Sequence, residues 1–245
     1  MARKTAKGAA VKSNELITEM VPVQGALTQV AFRRSGRAAK ISLRIDPAQG
    51  GIVITLPPRA SRRAGLALLQ THEAWVVEKL AALPRALPFV PGAVGPVHGL
   101  PHIIRPTATG RGGAWIEEHE ILVTGEPEFL SRRVSDCLRR LARQQLTAMA
   151  AEKAKQAELT PKCVRVKDTR SRWGSCAPDG TLAFCWRLIC APEFVQDYVV
   201  GHEVAHLRHM NHGRQFWALT ETLTAHRVAA SAWLGTHGPA LLRIG

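Results

Sequence analysis

The sequence predicts an α+β protein, with a strand-rich amino-terminal part followed by a largely helical carboxy-terminal part. Two patterns carry that prediction. Around residues 41–56 apolar and polar residues alternate on one side of a turn and a short apolar run follows it, as strands do. Over residues 128–157, and again after Pro192, apolar residues recur at three- and four-residue spacing over lengths that helices reach. The 245 residues, 46% hydrophobic and 21% charged, suffice for one large domain or two small ones. The expected division is a flexible basic tail over 1–25, a strand-rich region over 26–125 and a carboxy-terminal domain over 126–245.

In the tail, Arg3, Lys4, Lys7 and Lys12 stand among small residues that cannot build a core. Strands begin near Leu27. Ile41, Leu43 and Ile45 alternate with Ser42 and Arg44; Asp46-Pro47-Ala48-Gln49-Gly50-Gly51 turns the chain, and Ile52-Val53-Ile54-Thr55-Leu56 returns until Pro57-Pro58. Ser61 caps a helix running to about Leu83, with Leu66, Leu69, Val76, Leu80 and Leu83 on its inner side. Residues 84–96 are Pro-rich and read as a connection. Short strands follow over 97–105, 114–116 and 121–124. The helix over 128–157 buries Leu130, Val134, Cys137, Leu138, Leu141, Gln145, Ala148 and Met149, and Arg132, Arg133, Arg139, Arg140 and Arg143 crowd its other faces. A hairpin is expected next. Val164 and Val166 lie in its first strand, Ala177-Pro178-Asp179-Gly180 in its turn, and Leu182, Phe184, Trp186 and Leu188 on one face of its return strand.

Pro192 then suits a first helical position, and Glu193 the positive first turn. This helix carries His202-Glu203-Val204-Ala205-His206. Residues four apart share a helix face, so His202 and His206 can offer two imidazoles to one ion. Glu203 lies about 100° round the helix. It can serve as general base toward a metal-activated water rather than as a ligand. The zinc site needs a third ligand, for which His209, His212 and Glu221 are candidates. His209 shares the helix face but lies about 10 Å further along the axis. Glu221 could arrive from the next helix. His212 follows His206 by six residues, the spacing of the extended metzincin motif, and reaches back only if the helix stops first. Asn211 and Gly213 permit such a stop. Phe216, Trp217, Leu219 and Leu223 read as anchors of a following helix. His72-Glu73 begins like the metal motif but has Val76 where a histidine is needed, so it reads as structural.

The run from Asp197 to His206, followed by Asn211-His212-Gly213-Arg214-Gln215-Phe216-Trp217, resembles the YgjP-like metallopeptidase domain, a relative of the SprT-like zinc proteases. Ser171-Arg172-Trp173-Gly174-Ser175-Cys176 and Trp186-Arg187-Leu188-Ile189-Cys190-Ala191-Pro192 match the same pattern, as does the region from Arg33 to about Leu83. Cys185 departs from it, standing where an asparagine is expected. The resemblance implies a zincin-like metallopeptidase domain over 126–245, Zn2+ as cofactor, His212 as third ligand beside His202 and His206, and a protein or peptide substrate. By the same analogy, residues 171–176 or the return strand can hold the substrate by strand addition. Tyr198, His209 and Arg172 are candidates for stabilising the oxyanion.

A net charge of +14 favours anionic partners, and the arginines of residues 132–143 form the densest basic surface for nucleic acid. Cys137, Cys163, Cys176, Cys185 and Cys190 show no Cys-x-x-Cys spacing and read as free thiols. There is neither a signal core nor a membrane-length apolar run, which points to the cytoplasm. Two other readings compete with a zinc peptidase: a zinc hydrolase of a non-peptide amide, and a basic nucleic-acid-binding protein with a structural zinc.

Overall fold

Strand pairing begins earlier than the alternation predicts. The computed structural model describes residues 16–110 and 112–245, and contacts divide the chain after Leu83 into two units. Of the tail expected over 1–25, residues 1–15 lie outside the described residues. Leu16–Val23 form strand β1, which turns through Gln24 and Gly25 into β2 (Ala26–Arg34). β1 is an edge strand with mostly exposed side chains, and only Val21 and Val23 at its end pack on the core, too few to imprint a clear alternation on its sequence. β3 (Ser42–Asp46) and β4 (Gly51–Leu56) follow as expected, in a sheet of order β1-β2-β4-β3. The single helix expected over 61–83 is two, α1 (Arg62–Thr71) and α2 (Glu73–Ala81). They meet at His72, whose φ of −111° and ψ of 20° leave helical geometry. The Ser61 side chain accepts the Ala64 N–H, as a cap should. Phe32, Ile52, Ile54, Leu69 and Val76 form this unit's core.

The second unit, Pro84–Gly245, contains the boundary expected near residue 125. Its first sheet has β5 (Val94–Val97), β6 (Leu100–Thr107), β7 (Ala114–Glu117) and β8 (Glu120–Thr124) in the order β5-β6-β8-β7. The strand expected over 97–105 is a hairpin, because His98 and Gly99 both take positive φ, 52° and 79°, and make a two-residue turn. Helix α3 (Leu130–Gln156) buries Val134, Leu138, Ala142, Leu146, Ala150 and Ala154. This ridge lies to one side of the expected stripe, leaving Ala148 exposed and Gln145 half-buried. Its alanines let neighbouring backbone approach closely.

The basic half of α3 is largely engaged within the fold. Arg133 donates to the Thr124 carbonyl, Arg140 donates to the Ala114 carbonyl at 2.9 Å, and Arg139 pairs with Asp168 at 3.0 Å. The surface read as a nucleic-acid face thus fastens β7, β8 and the segment after β9 to the helix.

The second sheet comprises β9 (Cys163–Lys167), β10 (Gly174–Cys176) and β11 (Thr181–Cys185), in the order β10-β11-β9. The expected hairpin is corrected here. β9 runs parallel to β11, and the hairpin partner of β11 is the short β10 on its other side. The return strand also stops early, since Trp186–Cys190 form a 3-10 helix. All five of its residues are buried, which a strand with one polar face cannot achieve. Helices α4 (Glu193–Ala205), α5 (Arg214–Leu223) and α6 (Arg227–Leu241) complete the unit. All five cysteines are free thiols, and no helix among the described residues is long and apolar enough to cross a membrane.

Helix α4 lies at the centre of this unit. Val195, Val199, Val200 and Val204 are buried, and α3, α5, α6 and β10 surround it. One polar contact fixes its register. Lys153 of α3, only 9% exposed, pairs with Asp197 at 2.5 Å and donates to the Leu223 carbonyl at the end of α5 at 2.6 Å. Removing one partner of such a pair leaves a buried charge uncompensated, typically at a cost of about 3 kcal/mol. Lys153→Ala should therefore lower unfolding free energy by about that amount in urea titrations. A loss under about 0.5 kcal/mol would show that the pair contributes no more than a surface pair.

Candidate metal centre

The metal-motif residues occupy the last turn of α4 and the turn after it. Pro192 caps the start of the helix, one position before the place expected. The helix ends at Ala205, well short of Asn211. The His209 N–H returns to the Ala205 carbonyl, and the Leu207 N–H to that of Val204. This early stop lets the chain double back. His212 arrives beside the helix with its Nε2 3.1 Å from His202 Nε2. The ligand atoms of His202, His206 and His212 all lie within 4.8 Å of one another.

These residues fit a metal ion on two counts. Two nitrogens about 2.0–2.1 Å from a tetrahedral ion sit roughly 3.3 Å apart, close to the separation observed. His206 donates from Nδ1 to the His209 carbonyl at 3.0 Å, which fixes the tautomer with Nε2 free to coordinate. The other ring nitrogen of His202, Nδ1, is not the one beside His212 and is buried without a hydrogen-bond partner among the described residues.

Aromatic rings wall the three imidazoles. Phe216 lies 4.9, 4.4 and 4.7 Å from the centroids of His202, His206 and His212. Trp217 stacks on His212 at 5.5 Å, and Arg227 lies over the Trp217 ring at 3.9 Å. Burial pushes His202 down to about 4, aided by His206, His212 and Arg227. It lowers His206 too, against the pull of the His209 carbonyl. Both rings are therefore neutral at pH 7, the state in which imidazole binds metal.

Glu203 stands apart from the histidine cluster. It is 7% exposed. Burial raises its carboxyl to about 7, opposed by Arg172 and by the Cys176 backbone N–H. It presses against β10 at Gly174, where a Cβ would lie 2.5 Å from Glu203 Cγ and 2.6 Å from Oε1. Only glycine allows this approach. A cavity of about 350 Å³ opens between β10 and the histidines, lined by Gly174, Ser175, Cys176, His202, Glu203, His206, Met210 and His212.

The other sequence candidates fall around this cluster. His209 contributes its carbonyl rather than its ring, and Glu221 pairs with Arg227 at 2.7 Å. Tyr198 lies edge-on to His202 at 5.8 Å. Cys185 is buried, with its thiol on the Thr169 carbonyl. Sequence reasoning missed the Gly174–Glu203 contact, although a glycine between Trp173 and Ser175 was its signal. It also took Phe216 only as a core anchor, and passed over Met210.

Gly174→Ala should fold and keep its metal but displace the carboxylate. A shift of about 1 Å can cost 10²-fold in rate, so kcat/KM for a peptide should fall by about that factor. Unchanged turnover would show the contact to be incidental. In the metal-free chain the raised Glu203 pKa also links stability to pH. The folded state holds this proton more tightly than the unfolded, so its contribution is present below pH 4.5 and is lost as pH rises through about 7. Metal-free Glu203→Gln should therefore be more stable than wild type at pH 8 by about 2–3 kcal/mol, and nearly equal to it at pH 4.5. A constant difference across that range would refute the linkage.

Comparison with known proteins gives one match. A model described as YgjP-like, metallopeptidase domain, matches residues 39–237 and so extends into both units. No curated protein matches the chain, and no solved structure does. Since the match covers most of the chain and includes the histidine cluster, Glu203 and Gly174, the protein belongs to the YgjP-like metallopeptidase family.

Proposed function

We propose that the protein is a zinc-dependent peptidase in which His202, His206 and His212 hold the ion and Glu203 is the general base. The observation that carries this reading is the pairing of three converging imidazoles with a buried carboxylate outside their cluster. A structural zinc takes four protein ligands, whereas a catalytic site keeps one position open. Among the described residues only three donors converge here. When bound, zinc supplies a Lewis acid that polarises a carbonyl and lowers the pKa of water to about 7.

The chain's own residues do the rest. Glu203, poised near neutrality, accepts the proton of the attacking water and passes it to the leaving amine. β10 is the edge of its sheet, so its outer backbone groups can pair with an extended peptide passing Glu203. The Phe216 and Trp217 rings shield the imidazoles on one side and hold their orientation.

Metal analysis and casein digestion test this reading in four variants. Glu203→Gln should keep its zinc while hydrolysis falls about 10²–10⁴-fold. His212→Ala should lose tight zinc and activity. His209→Ala should keep the metal, because its backbone carbonyl survives the substitution, and Glu221→Ala should keep it too. Full activity in metal-loaded Glu203→Gln would overturn the general-base role. Stoichiometric zinc in His212→Ala, with loss in either of the last two, would overturn the ligand set.

A further inference from the structure

The cleft along β10 has two chemically unlike ends. At one end a cavity of about 180 Å³ shares Gly174, His202 and Glu203 with the central one, and is walled by Trp173, Tyr198, Val199 and Leu234. Apart from the Tyr198 hydroxyl and the Trp173 ring N–H, these four side chains are apolar. At the other end the central cavity shares Met210 with a larger one of about 570 Å³, into which Arg208, His209 and Arg214 face. No carboxylate lines that end. Arg208 is half engaged, donating to the Ala157 carbonyl at 2.8 Å. The Arg214 side chain is exposed and makes no hydrogen bond or ion pair among the described residues. His202 and Glu203 line both the apolar and the central cavity, whereas none of the three clustered histidines lines the basic one.

We infer that the substrate is a peptide with a large apolar side chain on one side of the scissile bond and a carboxylate on the other. This rests on the peptidase reading above. The apolar end has room for one side chain and little to offer a polar one, so removing the apolar group should cost roughly tenfold or more in kcat/KM. The basic end selects by charge. An exposed pair of this kind contributes modestly, so exchanging acid for lysine should cost roughly five- to tenfold. The carboxylate has two sources, an Asp or Glu side chain or the chain's own carboxy terminus, and both suit Arg208 and Arg214.

The test uses the full-length zinc-loaded protein and a library of proteome-derived peptides, with cleavage sites read by mass spectrometry. Sites should show Leu, Met or Phe on one side and Asp or Glu within two residues on the other. A matched library with amidated carboxy termini separates the two carboxylate sources, since selection that survives amidation comes from side chains. Selection lost on amidation comes from the terminus. Arg214→Glu should reverse the charge preference toward lysine. Cleavage scattered without regard to either feature would overturn the inference and leave the peptidase reading intact. A second measurement makes the reverse case visible: Glu203→Gln is titrated with two dye-labelled peptides that differ only in Asp against Lys, followed by fluorescence anisotropy. Selective binding of the Asp peptide without any wild-type cleavage would sustain the cleft's chemistry and overturn the peptidase reading. Equal binding of both peptides without cleavage would overturn both.

Discussion

The tightness with which β10 lies on α4 conditions the rest of the site. With no side chain at Gly174, the strand comes close enough to strip water from Glu203. The same approach sets the width of the cleft and places the sheet's free edge alongside the carboxylate. A bulkier residue would force the strand away, and both the desolvation and the edge would be lost together. The pair formed by Lys153 and Asp197 acts on a different face, tying α4 to α3 and to the end of α5. The helix is thus held by a glycine contact on one face and a charge contact on another.

This arrangement works against stability at the points where chemistry is needed. Glu203 would be more comfortable in water, and His202 leaves one buried nitrogen unpartnered. The surrounding core offsets these costs. Val195, Val200, Val204, Leu182, Phe184 and Phe216 are fully buried around the same helix. Such local violations of good packing chemistry inside a well-packed frame are what a functional site requires.

Much of this was legible in the residues. The alternation at Ile41, Leu43 and Ile45 and the run from Ile52 to Leu56 marked β3 and β4, because one face of β3 meets the core and both faces of β4 are buried. The histidine spacing marked the last turn of α4, because a helix face repeats every four residues. Other features left no local trace. β1 is an exposed edge, and His98-Gly99 carries a turn inside a run that reads as continuous strand. The parallel pairing of β9 with β11 depends on where the chain crosses the sheet, which no local pattern encodes. The seat of Gly174 on Glu203 joins residues far apart in sequence, so the glycine was visible while its partner was not.

The three imidazoles are not equivalent in how they are mounted. His202 and His206 ride on a helix sunk in the core, while His212 is exposed and sits on the loop between α4 and α5. Gly213 follows it, and Asn211 precedes it, both also exposed. Swinging this loop outward would part His212 from Phe216 and Trp217 but leave the two helical arms in place, so one arm of the site can open without unfolding the frame. A metal ion held there would have its exit and entry gated by the loop, with the two helical arms waiting preformed. Its residence time would then follow the local opening of a handful of residues, and a chelator could empty the site while the protein stays folded.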